Sequence, residues 1–286
     1  MNSNKSKIYI LMAAALILAV GFAVVRTVLM INYYDVEEGL YQRGAHGVTA
    51  ARIMFAVSLA VLAVTAFLLI KKRSFKSMPE ANHGVVFTGA LCGFMCISSA
   101  LLTAWYFIPS LAKSVFGTSG KSAVRTNNTV LFITLCLTIL LSLASSLYYF
   151  WCASTETKLK KLNYRLLSLM PVLWGVVYLI YMYFRKDTVI NSQERIIQQF
   201  SVITVMLYCL AEARFHFGIS RFRMYAALTL VSVVSVIVAA VPSFILTAFW
   251  LMPFSPVTVF AVMQVALAAY MVCRLVSIGC GEEKSE

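Results

Sequence analysis

At the end of one apolar run stand three ionisable side chains within five residues, Glu212-Ala213-Arg214-Phe215-His216. Glu212 and His216 stand four residues apart, so on a helix they share one face. Upstream, Gln198, Ser201, Thr204 and Tyr208 continue that face at spacings of 3, 3 and 4, and Glu212 and His216 extend it at 4 and 4. A stripe of this kind can hand protons along or line a path for a small solute. At membrane depth, an ionisable residue is a functional candidate in its own right. Arg214 and His216 also stand where cationic side chains commonly reach back to the interface and anchor a helix end. Both readings of this end remain open.

A second concentration runs from Tyr33 to Gly44 and holds Asp35, Glu37, Glu38, Tyr41 and Arg43. Clustered carboxylates can hold a cation, but a tight calcium loop needs more ligands at fixed spacing than are present. The expectation is therefore a solvated loop whose acids pair with Arg26, Arg43 or Arg52. Two further stripes are hydroxylated: Thr134, Thr138, Ser142, Ser145 and Tyr149, and Thr229, Ser232, Ser235, Ala239 and Ser243. Small and hydroxylated residues at helical spacing usually mark close helix packing, and they can also face a cavity.

Familiar enzyme signatures are missing. Gly117-Thr118-Ser119-Gly120-Lys121-Ser122 ends like a phosphate loop, but its first glycine is misplaced for G-x-x-x-x-G-K-[ST]. There is no H-E-x-x-H and no G-x-S-x-G. The three histidines, His46, His83 and His216, are too dispersed to ligate a haem together. The seven cysteines lie mostly in apolar runs without C-x-x-C pairing, where they act as small hydrophobes. No cofactor and no metal is expected, and an enzyme is the least favoured reading.

The elements that position these residues are membrane spans. The chain has 286 residues, 61% hydrophobic and 12% charged, and its mean hydropathy is +0.84. A soluble domain carries about 25% charged residues, and a soluble fold this apolar would aggregate. Crossing the hydrocarbon takes about 20 apolar residues. Eight stretches qualify: 8–30, 50–70, 85–108, 129–151, 166–184, 196–213, 225–246 and 257–277. From Tyr225 to Cys273 no residue is charged, and the segment from Trp250 to Pro256 supplies the break that makes two spans of one run. Lys5 and Lys7 precede an apolar core from Ile8 to Val25, longer than a cleavable signal needs, so the first span reads as a retained anchor.

The net charge of +13 sits mainly in the short connections, facing lipid headgroups, so nucleic acid is not an expected partner. With the N-terminus inside, 15 Lys and Arg fall on the cytoplasmic side and 9 on the outer side. That bias favours both termini in the cytoplasm. The fold expected is all-α: one polytopic transmembrane bundle of eight spans over 1–286, multi-pass in the cell membrane.

Around the first outer loop, Tyr34-Asp35-x-Glu37-x-Gly39-Leu40-Tyr41 following a first span resembles a pattern in uncharacterised polytopic membrane proteins of Gram-positive bacteria. The resemblance implies a membrane location and no activity. The leading functional expectation is binding or transport of a small solute or ion along the polar faces. The alternative is a membrane-embedded scaffold or sensor subunit acting through contacts with other membrane subunits. In either case the bilayer is the main partner.

Overall fold

A computed structural model describes residues 3–35, 40–42, 46–70, 82–116, 122–154, 162–185, 192–219 and 221–280. In chain order the elements are α1 (Ser3–Tyr33), β1 (Tyr34–Asp35), β2 (Leu40–Tyr41), α2 (His46–Leu69), α3 (His83–Phe116) and α4 (Ser122–Ala153). They continue with α5 (Leu162–Leu167), α6 (Met170–Phe184), α7 (Gln193–His216), α8 (Phe222–Ala248) and α9 (Pro256–Cys280). Eight of these segments are long and apolar enough to cross a membrane, α5 and α6 serving together as one. The protein is a multi-pass integral membrane protein. One end of the bundle carries both chain ends, and the other carries the β1–β2 hairpin.

Helix boundaries follow from local chemistry. Ser192 caps α7, its hydroxyl accepting from the Arg195 amide at 3.3 Å. Glu194 in the first turn and Arg214 and His216 in the last complement the helix dipole. The expected break after α8 occurs where Trp250 takes a positive φ of 61°, and α9 starts on Pro256, whose missing N–H is harmless in a first turn. Two boundaries differ from the hydropathy pattern. α3 continues through Pro109 to Phe116, well beyond residue 108, because one lost backbone bond does not end a long helix. The fifth span is broken at Ser168–Leu169, just ahead of Pro171.

The β1–β2 hairpin is the one sheet among the described residues, with Tyr34 opposite Tyr41 and Asp35 opposite Leu40. The two tyrosine rings meet edge to face at 5.3 Å. At the same end, the Arg195 guanidinium donates to the carbonyls of Met182, Tyr183 and Arg185 and so closes the exposed end of α6.

Packing sorts the helices by depth. In α8 and α9, 67% of the membrane-spanning window is buried, against 17% in α2, so α8 and α9 form the centre and α2 faces lipid. α8 touches α1, α2, α7 and α9, while α3 lies along α4 and α9. α3 and α4 approach closely because Gly89 and Gly93 face α4. A Cβ on Gly93 would meet the Phe150 ring at 2.8 Å, and one on Gly89 the Tyr149 carbonyl at 3.2 Å. Small residues at such contacts are the usual means by which helices associate in lipid.

Candidate functional site

One face of α7 carries Glu194, Gln198, Ser201, Thr204, Tyr208 and Glu212, at spacings of 4, 3, 3, 4 and 4. Antiparallel to it, α8 presents Tyr225, Thr229, Ser232, Ser235, Ala239 and Ser243 at the same spacings. The two faces meet in the bundle core. The Thr204 and Ser235 hydroxyls are 2.6 Å apart, and Ser232 donates to the Thr204 carbonyl at 2.7 Å. The Ser201 hydroxyl donates to Gln264 of α9 at 3.2 Å. Further along, the Tyr208 and Tyr225 hydroxyls are hydrogen-bonded at 3.2 Å. Ser201, Thr204, Tyr208 and Glu212 are all buried.

At the end of the bundle that carries the chain ends, this line runs into Glu212. Tyr270 donates to its Oε1 at 2.8 Å, and Arg274 of α9 brings its Nε to 3.6 Å from the same oxygen. The hydroxyls of Tyr208 and Tyr148 flank the carboxylate. Glu212 is 1% exposed and Arg274 4%. Yet Glu212 Oε2 and the Nε and Nη1 of Arg274 find no hydrogen-bond partner among the described residues. Orphaned polar atoms at this depth are costly, and each calls for an explanation. The sequence leads one to expect Arg214, or a basic residue at the inner end of a neighbouring span such as Arg165 or Arg221, as partner for Glu212; in the structure the cationic neighbour is Arg274 of α9. Arg214 is two residues along and faces another way, whereas α9 runs parallel to α7 and delivers Arg274 from the side.

His216 turns inward. Its Nε2 shares a proton with the Tyr148 hydroxyl at 3.1 Å, and its ring packs against Trp151. The ring remains partly exposed at the bundle end.

At the hairpin end the line begins in a second ion pair. Glu194 pairs with Arg26 of α1, and both are buried. Gln198 donates to Glu194 Oε1 at 2.8 Å and Ser243 at 3.3 Å. Arg26 also donates to the Val238 carbonyl. That carbonyl is four residues before Pro242, which has no N–H to offer it, so the proline inside α8 leaves an acceptor for the guanidinium. Arg26 is therefore engaged by Glu194 and by α8. Of that loop's candidates, Asp35 and Tyr41 stand in the hairpin, while Glu37, Glu38 and Arg43 lie outside the described residues. Tyr34 and Tyr41 cover the pair, and burial, reinforced by the Glu194 carboxylate, pushes both phenols up to about 12.

The α4 stripe behaves differently. Thr134, Thr138 and Ser145 return their hydroxyls to their own helix, and Ser142 donates to the Cys96 carbonyl of α3 at 3.0 Å. This stripe packs helices. Beside it an enclosed void of about 10 Å³ is lined by Cys92, Cys96, Cys209, Trp174 and Met263. A larger recess, about 320 Å³, opens between α3, α8 and α9 beside Trp250 and Phe254, lined by no residue of α7. Among the described residues, no group of three or more His, Cys, Asp or Glu is disposed to hold a metal ion.

Several of these residues carry little signal in the sequence. Glu194 and Arg26 stand at span edges and read as loop charges, and Arg274 reads as a topology determinant. Pro242 is the clue that was available, since a proline within an apolar run frees a carbonyl four residues earlier. Compared with protein families, with curated proteins and with solved structures, the chain matches no family model, no curated protein and no solved structure.

Proposed function

We propose that this protein binds a small solute or ion and carries it across the cell membrane along the polar face of α7, with both termini in the cytoplasm. The observation that supports this is the polar line itself, closed at each end by a buried ion pair. Glu194 and Glu212 are 18 residues apart, about 27 Å along a helix, close to the roughly 30 Å of the hydrocarbon core. Packing alone does not require such a line, because hydroxyls returned to their own helix, as on α4, pack as closely. Along α7, Ser201 donates to Gln264 of α9, and the Thr204 hydroxyl, which also returns to the Ser201 carbonyl, meets Ser235 of α8 while Ser232 donates to the Thr204 carbonyl. The state described is closed: the groups are bonded to one another, and the voids beside them are small.

Cysteine accessibility tests this. Ser201→Cys on the line and Ser145→Cys on α4 are each treated in proteoliposomes with a small charged thiosulfonate, and modification is read site by site by mass spectrometry. The line requires that Ser201→Cys react from the aqueous phase while Ser145→Cys stays inert. Equal inertness at both positions would favour the scaffold reading, in which α7 holds the bundle together and carries nothing.

A further inference from the structure

We propose that Glu212 is a proton-binding site, loaded from the end of the bundle that carries the chain ends through His216 and Tyr148. The geometry around the carboxylate carries this. Among the described residues its short hydrogen bond comes from Tyr270, and its cationic neighbour Arg274 stands at 3.6 Å, outside bonding distance. Oε2 has no donor among the described residues, and the Nε and Nη1 of Arg274 have no acceptor. A well-compensated buried pair would be bidentate and saturated. This one is neither, so the carboxylate can accept a proton while losing little.

A route to it is present. His216 is partly exposed at the bundle end, its Nε2 is 3.1 Å from the Tyr148 hydroxyl, and that hydroxyl flanks Glu212. Imidazole exchanges protons with water near neutral pH. A proton taken up at one ring nitrogen is passed on as Nε2 donates to Tyr148 and Tyr148 donates onward. The phenol ends as it began, and the bond formed is O–H on Glu212. Beyond Glu212, the Tyr208–Tyr225 pair continues the line towards Thr204.

Every element packed around the carboxylate contributes titratable or charged groups. α4 supplies Cys152 beside Tyr148, α7 supplies Cys209, and α3 supplies Cys92 at longer range. α8 supplies Tyr225 and α9 supplies Arg274 with Tyr270, while Arg165 of α5 acts on His216. The thiols and phenols are weak acids that stay neutral wherever a carboxylate or imidazole titrates. Glu212 and His216 are thus the groups in this cluster able to take up a proton without first losing one.

The role of this proton in transport rests on the reading above, but its binding does not. Infrared difference spectra of the full chain in phosphatidylcholine nanodiscs, taken between about pH 9 and about pH 5, read Glu212 directly. Acidification should bring up the C=O stretch of a protonated carboxylic acid, absent in Glu212→Gln and shifted in Glu212→Asp. After a pH jump, Tyr148→Phe and His216→Gln should reach the same final band at least roughly tenfold more slowly, since a positioned proton donor accelerates transfer by about 10²–10⁴. A spectrum without any Glu212-dependent band overturns the site. A band that rises at the wild-type rate in both relay variants overturns the route. If the band titrates while Ser201→Cys stays inert, proton binding stands and the transport reading falls.

Discussion

Arg26 and Pro242 should be energetically coupled even though they are far apart in sequence. Pro242 lacks the N–H that would bond the Val238 carbonyl, and the Arg26 guanidinium bonds that carbonyl instead. Arg26→Met therefore removes two things: the partner of the buried Glu194 carboxylate and the partner of the Val238 carbonyl. Breaking a buried pair from one side costs about 3–5 kcal/mol in soluble proteins. Pro242→Ala restores a backbone donor to Val238, so in that background the second loss disappears. A hydrogen bond to a charged group contributes about 1.5–3 kcal/mol, while interhelical bonds in membranes reach at most about 1.7. The overlap puts the expected coupling at about 1.5 kcal/mol, with the double variant less destabilised than the sum of the singles. Reversible unfolding of the four proteins in mixed micelles, followed by circular dichroism as the share of denaturing detergent rises, measures it. Additivity within about 0.3–0.5 kcal/mol would show that Arg26 does not act through the proline-freed carbonyl.

Reporter fusions at residues 40 and 118 should read as external and those at 77, 160 and 220 as internal; an external C-terminus would refute the proposed orientation. The hairpin phenols titrate at about 12 when folded, against about 10 when unfolded. Their raised values favour the neutral form, so the stability they contribute is complete below about pH 10 and is lost as pH rises through about 12. The difference in tyrosinate absorbance between wild type and the Tyr34→Phe, Tyr41→Phe variant should stay flat to about pH 10 and then rise; a midpoint near 10 refutes their burial. Gly93→Ala should cost about 1–3 kcal/mol of stability, because its Cβ meets the Phe150 ring at 2.8 Å. An unchanged unfolding midpoint would mean that α3 and α4 separate freely.

The spans were legible because their signal is long and one-dimensional: about twenty apolar residues leave few alternatives. The polar face of α7 was legible for the same reason, since Gln198 to Glu212 keep a single helical period. What that face bonds to was not. Arg274 and Tyr270 reach Glu212 only because α8, packed against both, holds α9 parallel to α7 within reach of long side chains, a relation with no local trace in either segment. The reverse holds for Thr134 to Ser145 on α4, a stripe as regular as that of α7. Its hydroxyls turn back to their own carbonyls or to α3, and periodicity alone cannot separate that outcome from a cross-helix network. Arg26 and Glu194 were hidden by their place at span ends, where charge is ordinarily read as topology rather than as chemistry.

The matched spacing of α7 and α8 has a mechanical consequence. Along the middle of the contact, Thr204 meets Ser232 and Ser235, with Ser201 and Thr229 one position further on along each helix, so small hydroxylated residues line both sides of the seam for less than two turns. A slip of one helix past the other by a single turn, about 5.4 Å, would break each hydroxyl contact and offer another of the same kind. Such a seam stores almost no information about its own alignment. The alignment is held by the unlike groups at its margins, Tyr208 against Tyr225 at one end and Glu194 against Ser243 at the other. The middle of the bundle is in this sense a bearing surface, and the charged and aromatic ends are its detents.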